Sequence, residues 1–321
     1  MSLKTWITAA LGAVTFASAP ALAQEYPARA VTIIAPFAAG SGTDLIARVF
    51  AEELAQKFGQ PFVVENKPGA GGTLGAGLAA RAEPDGYTLV MGGTTTHAAS
   101  RSLMKNVPYD PVEDFTAVAG LGEYPYFLLV NAKDPYTDLK GLVEGIKQQP
   151  GKLSYGYGNA LGQLSCALLA KRANLDITAV PYKSSPPALQ DLLGQRITFM
   201  FNDMTAALPQ VKSGDLRILA VTTAKRTPLM PDVPTLEETG LPLFSISAWS
   251  GIFAPKGTPK DITDKLGAAI AEITRKDTIR KKLADMGFAV REDHSEPFMT
   301  FVKADIERWT KFTGDVGIEP Q

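Results

Sequence analysis

Thr43 and Asp44, directly after Phe37-Ala38-Ala39-Gly40-Ser41-Gly42, are the first residues of this sequence whose types and spacing offer chemistry. Thr43 suits a helix N-cap, and Asp44 suits the positive end of a helix dipole. The loop before them therefore offers backbone N–H groups at a helix start, with Phe37 as its one bulky side chain. Such a place binds anions. The same residues also make an ordinary strand-to-helix turn. A second stretch, Gly92-Gly93-Thr94-Thr95-Thr96-His97, gathers hydroxyls and one of the chain's two histidines at a strand end. His97 either meets a ligand there or caps its own loop. Asp203 and Asp44 are the acids an acid–base mechanism would draw on, and both stand at helix starts, where a carboxylate also stabilises the helix. Trp249, Tyr124, Tyr126 and Tyr157 fit a pocket rim and plain packing equally well.

The elements that must position these residues follow from periodicity. Val31 to Ile34 is a β-branched run that reads as a buried strand. Ile46, Val49, Phe50, Leu54 and Phe58 then recur at helical spacing. Strands over Phe62–Glu65 and Tyr87–Met91 enclose a glycine-rich loop, Asn66 to Thr73, and a helix over Leu74–Arg81. The pattern shifts at Gly120–Pro125. A second series follows: strands over Tyr126–Asn131, Thr178–Tyr182, Thr198–Phe201 and Leu216–Thr222, with helices over Leu139–Gln148, Gln163–Ala173 and Pro187–Leu193. After a proline-rich excursion over Thr227–Pro242, Ser245–Phe253 reads as a strand crossing back. The C-terminal part is helical over Ile262–Thr274, Thr278–Met286 and Pro297–Thr313. This alternation predicts a mainly parallel α/β sheet in two lobes, joined near Gly122–Tyr126 and near Ser245–Ser250. Ligands of such sheets gather beyond the carboxyl ends of the strands, where both loops fall.

Composition narrows the function. A net charge of −1 removes the electrostatic case for nucleic acid or an anionic membrane surface, so any bound anion must be held locally. Residues 1–23 read as a signal peptide: Lys4, an apolar stretch from Ile7 to Phe16, and Ala21-Leu22-Ala23 as a cleavage signal before Gln24. The expected product is soluble and periplasmic. Cys166, the sole cysteine, excludes an intramolecular disulfide. No heptad seam is present, so a monomer is expected.

Catalytic constellations are missing. Two histidines, His97 and His294, do not support an imidazole metal cluster, and neither a Gly-x-Ser-x-Gly elbow nor a phosphate loop occurs. Gly75-Ala76-Gly77-Leu78-Ala79-Ala80 matches the dinucleotide pattern, yet it falls inside a predicted helix rather than in a strand-end turn. The reading is therefore no cofactor, no metal and no enzyme.

With these stretches in hand, the chain resembles the Bug-type receptors, the substrate-binding components of tripartite tricarboxylate transporters. The likeness covers essentially the whole chain after the leader. It rests on Tyr26-Pro27, Ala35-Pro36-Phe37, Ala39-Gly40-Ser41-Gly42-Thr43-Asp44, Val64-Glu65-Asn66-Lys67-Pro68-Gly69-Ala70-Gly71-Gly72 and Pro84-Asp85-Gly86-Tyr87-Thr88-Leu89. It continues in Val107-Pro108-Tyr109-Asp110-Pro111, Val180-Pro181-Tyr182-Lys183, Ala220 to Arg226 and Pro231-Asp232-Val233-Pro234-Thr235. The resemblance implies a two-lobed periplasmic binding protein of the Venus flytrap, type II-like class with two crossover hinge strands. Lobe 1 would comprise residues 24–123 and 248–321, and lobe 2 residues 124–247. It implies a small carboxylated ligand held by backbone amides and water, with inner-membrane permease subunits as partners. A sensor docking on a signalling partner is the alternative. Carried over by position, the ligand-binding residues are Phe37, Ala38, Ala39, Gly40, Ser41, Thr43 and Asp44, then Thr94, Thr95, Thr96 and His97. From lobe 2 come Tyr157, Gly158, Asn159, Gln163 and Asp203. The chain departs from the family's second-lobe pattern at Asn159-Ala160-Leu161-Gly162-Gln163, where Leu161 replaces a hydroxyl and Gln163 stands near a histidine position. This departure implies a less polar ligand end.

Overall fold

The structure, a computed structural model of the chain, describes residues 25–241, 246–291 and 295–320. The expected leader with its cleavage at Ala23, His294 and the start of the returning strand at Ser245 lie outside the described residues.

Apolar periodicity builds the first lobe. Strand β1 (Val31–Ala35) is buried along nearly its whole length and sits between two parallel neighbours, β2 (Phe62–Asn66) and β3 (Thr88–Gly93). Helix α1 (Gly42–Phe58) returns the chain from β1 to β2, burying Ile46, Val49, Phe50 and Leu54 at helical spacing and closing on left-handed Gly59. Helix α2 (Thr73–Ala80) precedes β3, a wide π-type turn follows it over Thr94–Ala98, and the short α3 (Ser100–Leu103) comes next.

The largest departure from the sequence reading is β4, one unbroken strand over Phe115–Asn131. Gly120–Pro125 was expected to separate two units. Instead it runs through as extended backbone, because strand β9 (Ser247–Pro255) pairs with it antiparallel from Phe115↔Pro255 to Pro125↔Ser247. Two β-bulges absorb the glycine-rich stretch within this ladder. These two strands are the crossovers between lobes.

The second lobe repeats the logic of the first. Helix α4 (Leu139–Lys147) leads to β5 (Ser154–Tyr157), α5 (Ala160–Arg172) to β6 (Thr178–Pro181), α6 (Ser185–Leu193) to β7 (Phe199–Asp203), and α7 (Met204–Lys212) to β8 (Leu216–Val221). Strands β6, β5 and β7 are parallel, whereas β7 and β8 pair antiparallel with β4. The chain then returns through β9 to α8 (Lys260–Arg275), α9 (Asp277–Asp285), the two-residue β10 (Ala289–Val290) and α10 (Ser295–Val316), which cover lobe 1. The sheet order is β2-β1-β3-β9-β4-β7-β5-β6, with β8 and β10 also on β4. Helix α5 starts at Ala160, not Gln163, because Asn159 caps it by accepting from the Gly162 N–H.

Candidate functional site

The carboxyl ends of β1, β3, β5, β6 and β7 all open toward the cleft between the lobes. A cavity of about 30 Å³ lies there, lined from both sides. Lobe 1 supplies Phe37, Ser41, Gly42, Thr43, Met91, Gly93, Thr94, Thr95 and Thr96; lobe 2 supplies Asn159, Ser185 and Asp203; the crossovers supply Tyr124, Tyr126, Ala248 and Trp249. No arginine or lysine is among these lining residues.

Four helix starts meet at this cavity. Ser41 is the N-cap of α1, Asn159 the N-cap of α5, Ser185 the first residue of α6, and Asp203 the N-cap of α7. The Thr43 cap expected from sequence is thus displaced to Ser41, whose Oγ accepts from the Asp44 N–H at 3.3 Å. Among the described residues, the Gly42 and Thr43 N–H groups find no acceptor, and both residues face the cavity. Each helix start carries about half a positive charge, so four amount to roughly two.

Asp44 neither caps its helix nor faces the cavity. It is 1% exposed and holds the loop from behind. Its Oδ2 accepts from the Gly40 N–H at 2.9 Å and from Arg48, and its Oδ1 accepts from the Asn66 amide at 2.8 Å. The same Asn66 amide donates to the Phe37 carbonyl at 3.0 Å. The glycine-rich Asn66 stretch therefore serves as a brace for the anion loop. Gly40 is also removed from the cavity: its N–H is spent on Asp44, its φ is +80°, and a Cβ there would meet nothing within 4 Å. Gly42, passed over in the sequence reading, is the tight position, because a Cβ on it would lie 2.5 Å from Asp203 Oδ1.

Asp203, expected among the ligand-binding residues, also caps its own helix. Its Oδ1 accepts from the Ala206 N–H at 3.0 Å, so Asp203 itself is the cap, while it also lines the cavity. Burial pushes its carboxyl up to about 6 even though backbone N–H groups oppose the shift. Burial and the neighbouring Asp203 also raise Tyr126 well above the ordinary phenol range and push Tyr124 up to about 12.

His97 is fully buried behind the cavity, stacked on Phe253 with ring centroids 4.0 Å apart and packed on Phe115. Burial lowers it to about 3, so it is neutral, and its Nδ1 lies 2.9 Å from Thr96 Oγ1. His97 is not among the cavity-lining residues, whereas Asp203 is. Ala38 and Ala39 stay on the rim, outside the cavity lining. Tyr157, Gly158 and Gln163 line an adjoining chamber instead. Leu161 is buried in the lobe, 1% exposed, and reaches neither space, so the less polar ligand end read from it loses its basis there. Trp249 is pinned to α10 by its indole N–H donating to Asp305 at 2.6 Å. The overlooked Ser185 was legible in principle, since Ser184-Ser185-Pro186-Pro187 after β6 is another strand-to-helix turn. Among the described residues no group of histidine, cysteine, aspartate or glutamate is arranged to hold a metal.

Two α/β lobes on paired crossover strands, enclosing a cavity at helix N-termini, define a two-lobed periplasmic binding protein. The family model described as tripartite tricarboxylate transporter family receptor, TctC, matches residues 46–318, and the chain belongs to that family of solute-binding receptors. It is 36% identical to the protein BugT of Bordetella pertussis over 304 residues, covering 94% of this chain and 93% of that one. The R. palustris protein Rpa4515, solved with adipate, superimposes with a TM-score of 0.90 at 35% identity, covering 92% of this chain and all of that one. MatC from Rhodopseudomonas palustris, solved with bound malate, does so with a TM-score of 0.84 at 37% identity, covering 89% and 99%.

Proposed function

We propose that this protein is a periplasmic receptor that captures a small carboxylate between its lobes by hinge closure and delivers it to an inner-membrane permease of the tripartite tricarboxylate type. The observation that carries the reading is the convergence of four helix N-termini on a cavity lined by no cationic side chain. Four such ends supply roughly two positive charges, of which ionised Asp203 offsets one. The remainder matches a single carboxylate. The free Gly42 and Thr43 N–H groups are its first donors, with the hydroxyls of Ser41, Thr94 and Thr95 around it. The cavity, about 30 Å³, suits one carboxylate head and little more. Adipate and malate in the two related structures belong to the same chemical class.

In this reading residues 24–123 with 248–321 move as one body and residues 124–247 as the other, about β4 and β9. The segment 1–23 directs export and is removed, and the mature receptor acts as a monomer without catalysing a reaction. Native mass spectrometry of the freshly purified protein tests the central claim. A retained adduct with the mass of a small carboxylic acid, exchangeable for added acid, is expected. Protein that takes up no acid from a broad panel rules the receptor role out.

A further inference from the structure

Among the described residues, Asp203 is the one acidic side chain that lines the cavity. Both of its oxygens lie against the start of α1: a Cβ on Gly42 would be 2.5 Å from Oδ1 and 3.0 Å from Oδ2. The residue is 3% exposed, so its carboxylate depends on the donors around it. The groups that favour its charged form all belong to its own helix start, the N–H groups of Ala206, Asp203 and Thr205 and the Thr205 side chain. Among the described residues, no group of lobe 1 or of the crossovers donates to it. Its neighbours on the wall are the buried phenols of Tyr124 and Tyr126, which burial and the Asp203 charge keep uncharged. An acid held by the Gly42 and Thr43 N–H groups therefore meets a second carboxylate on its flank, with no cation between them. A donor carried by the ligand itself relieves that repulsion. Because Asp203 adjoins the residue that holds the acid's own carboxylate, the donor belongs on the carbon next to the carboxyl group.

Resting on the receptor reading above, we infer that this receptor selects short 2-hydroxy acids, with the carboxylate at the start of α1 and the hydroxyl donating to Asp203. Size supports the assignment. A cavity of about 30 Å³ takes about two or three water-sized groups, enough for the two oxygens of a carboxylate and one hydroxyl. Charge separates a hydroxyl from an ammonium at the same position. The four helix ends are already balanced by Asp203 and one carboxylate, so an ammonium leaves a positive charge in excess and a hydroxyl leaves none.

Calorimetry with two matched pairs, lactate against propionate and glycolate against acetate, tests the inference. Each hydroxy acid is expected to bind at least tenfold more tightly than its partner, and alanine more weakly than lactate. In Asp203→Asn the amide oxygen retains the cap and the NH₂ group turns to the cavity, a donor in place of an acceptor. The preference for lactate is expected to fall below threefold there, through a gain in propionate and a loss in lactate. Asp203→Ser, which also keeps a good cap, is expected to lose the preference as well. Propionate binding as tightly as lactate to the unaltered protein overturns the inference and leaves the carboxylate receptor standing. Uptake of longer acids alone does the same. Alanine binding more tightly than lactate overturns the hydroxyl assignment, and an unchanged preference in both folded variants overturns the role of Asp203. Binding of no acid at all overturns the receptor reading and the inference together.

Discussion

At the residue scale, two aspartates of similar sequence context do opposite work. Asp203 sits on the cavity wall with its carboxyl raised from 3.8 to about 6 by burial. The native state therefore holds this proton more tightly than the unfolded chain. Its contribution to stability is complete below about pH 4 and is lost as pH rises through 6. Asp203→Asn keeps a competent N-cap and removes this loss. The mutant's melting temperature should exceed that of the parent by a margin that grows from pH 4 to pH 7. For plain acids its affinity at pH 7 should rise by about fivefold to tenfold, since a like charge a few Å away costs about 1 kcal/mol even when well screened. Melting curves and calorimetry at pH 5 and 7 check both, and a margin independent of pH contradicts the assignment. Asp44 instead braces the loop with three donors while 1% exposed. Asp44→Ala leaves the Gly40 N–H and the Asn66 amide without their acceptor, so it should destabilise the fold by about 2–4 kcal/mol in urea unfolding. A loss below about 1 kcal/mol, the value for a mere helix-end charge, contradicts that role.

At the element scale, the start of α1 is shaped by what approaches it from the other lobe. Gly42 lies so close to Asp203 that any Cβ must displace the carboxylate or hold the lobes apart. Gly42→Val should fold, yet bind acids at least thirtyfold more weakly and fail to compact in small-angle scattering when acid is added. Gly40→Val separates the two roles of the loop. Its Cβ meets nothing, but φ of +80° strains a β-branched residue, so the expected effect is a stability loss of about 1–2 kcal/mol with the closed shape still attainable. Equal effects of the two substitutions on compaction contradict this division.

At the scale of the whole molecule, the lobes meet through few polar contacts besides the cavity itself. Thr95 to Ala160 is one, and the Thr205 hydroxyl donating to the Met286 carbonyl at 3.0 Å is another, from a residue outside the cavity lining, two places beyond Asp203. A neutral hydrogen bond contributes about 1 kcal/mol net. Thr205→Val should therefore weaken acid binding by about threefold to tenfold with no change in ligand preference, because it lowers the closed population without touching the ligand. Calorimetry with two acids of different size measures this, and a shift in preference rather than in overall affinity contradicts it.

The sequence by itself determined the two-lobed α/β architecture, because local periodicity encodes it. The β-branched run Val31–Ile34 and the helical spacing from Ile46 to Phe58 are short-range signals. The loops after β1 and β3 were placed at strand ends for the same reason. What only the tertiary structure decided are relations between distant segments. Thr43 and Ser41 are both caps by type, Ser the better, and the structure has Ser41 accepting from the Asp44 N–H. Gly120–Pro125 looks like a break because its glycines weaken strand propensity, yet pairing with β9, more than 120 residues later, holds it extended. Asp44, Asp203 and His97 all bear groups able to meet a ligand. Which of them faces the cavity depends on what packs behind each: Arg48 and Asn66 draw Asp44 inward, Phe253 covers His97, and the cap of α7 leaves Asp203 on the wall.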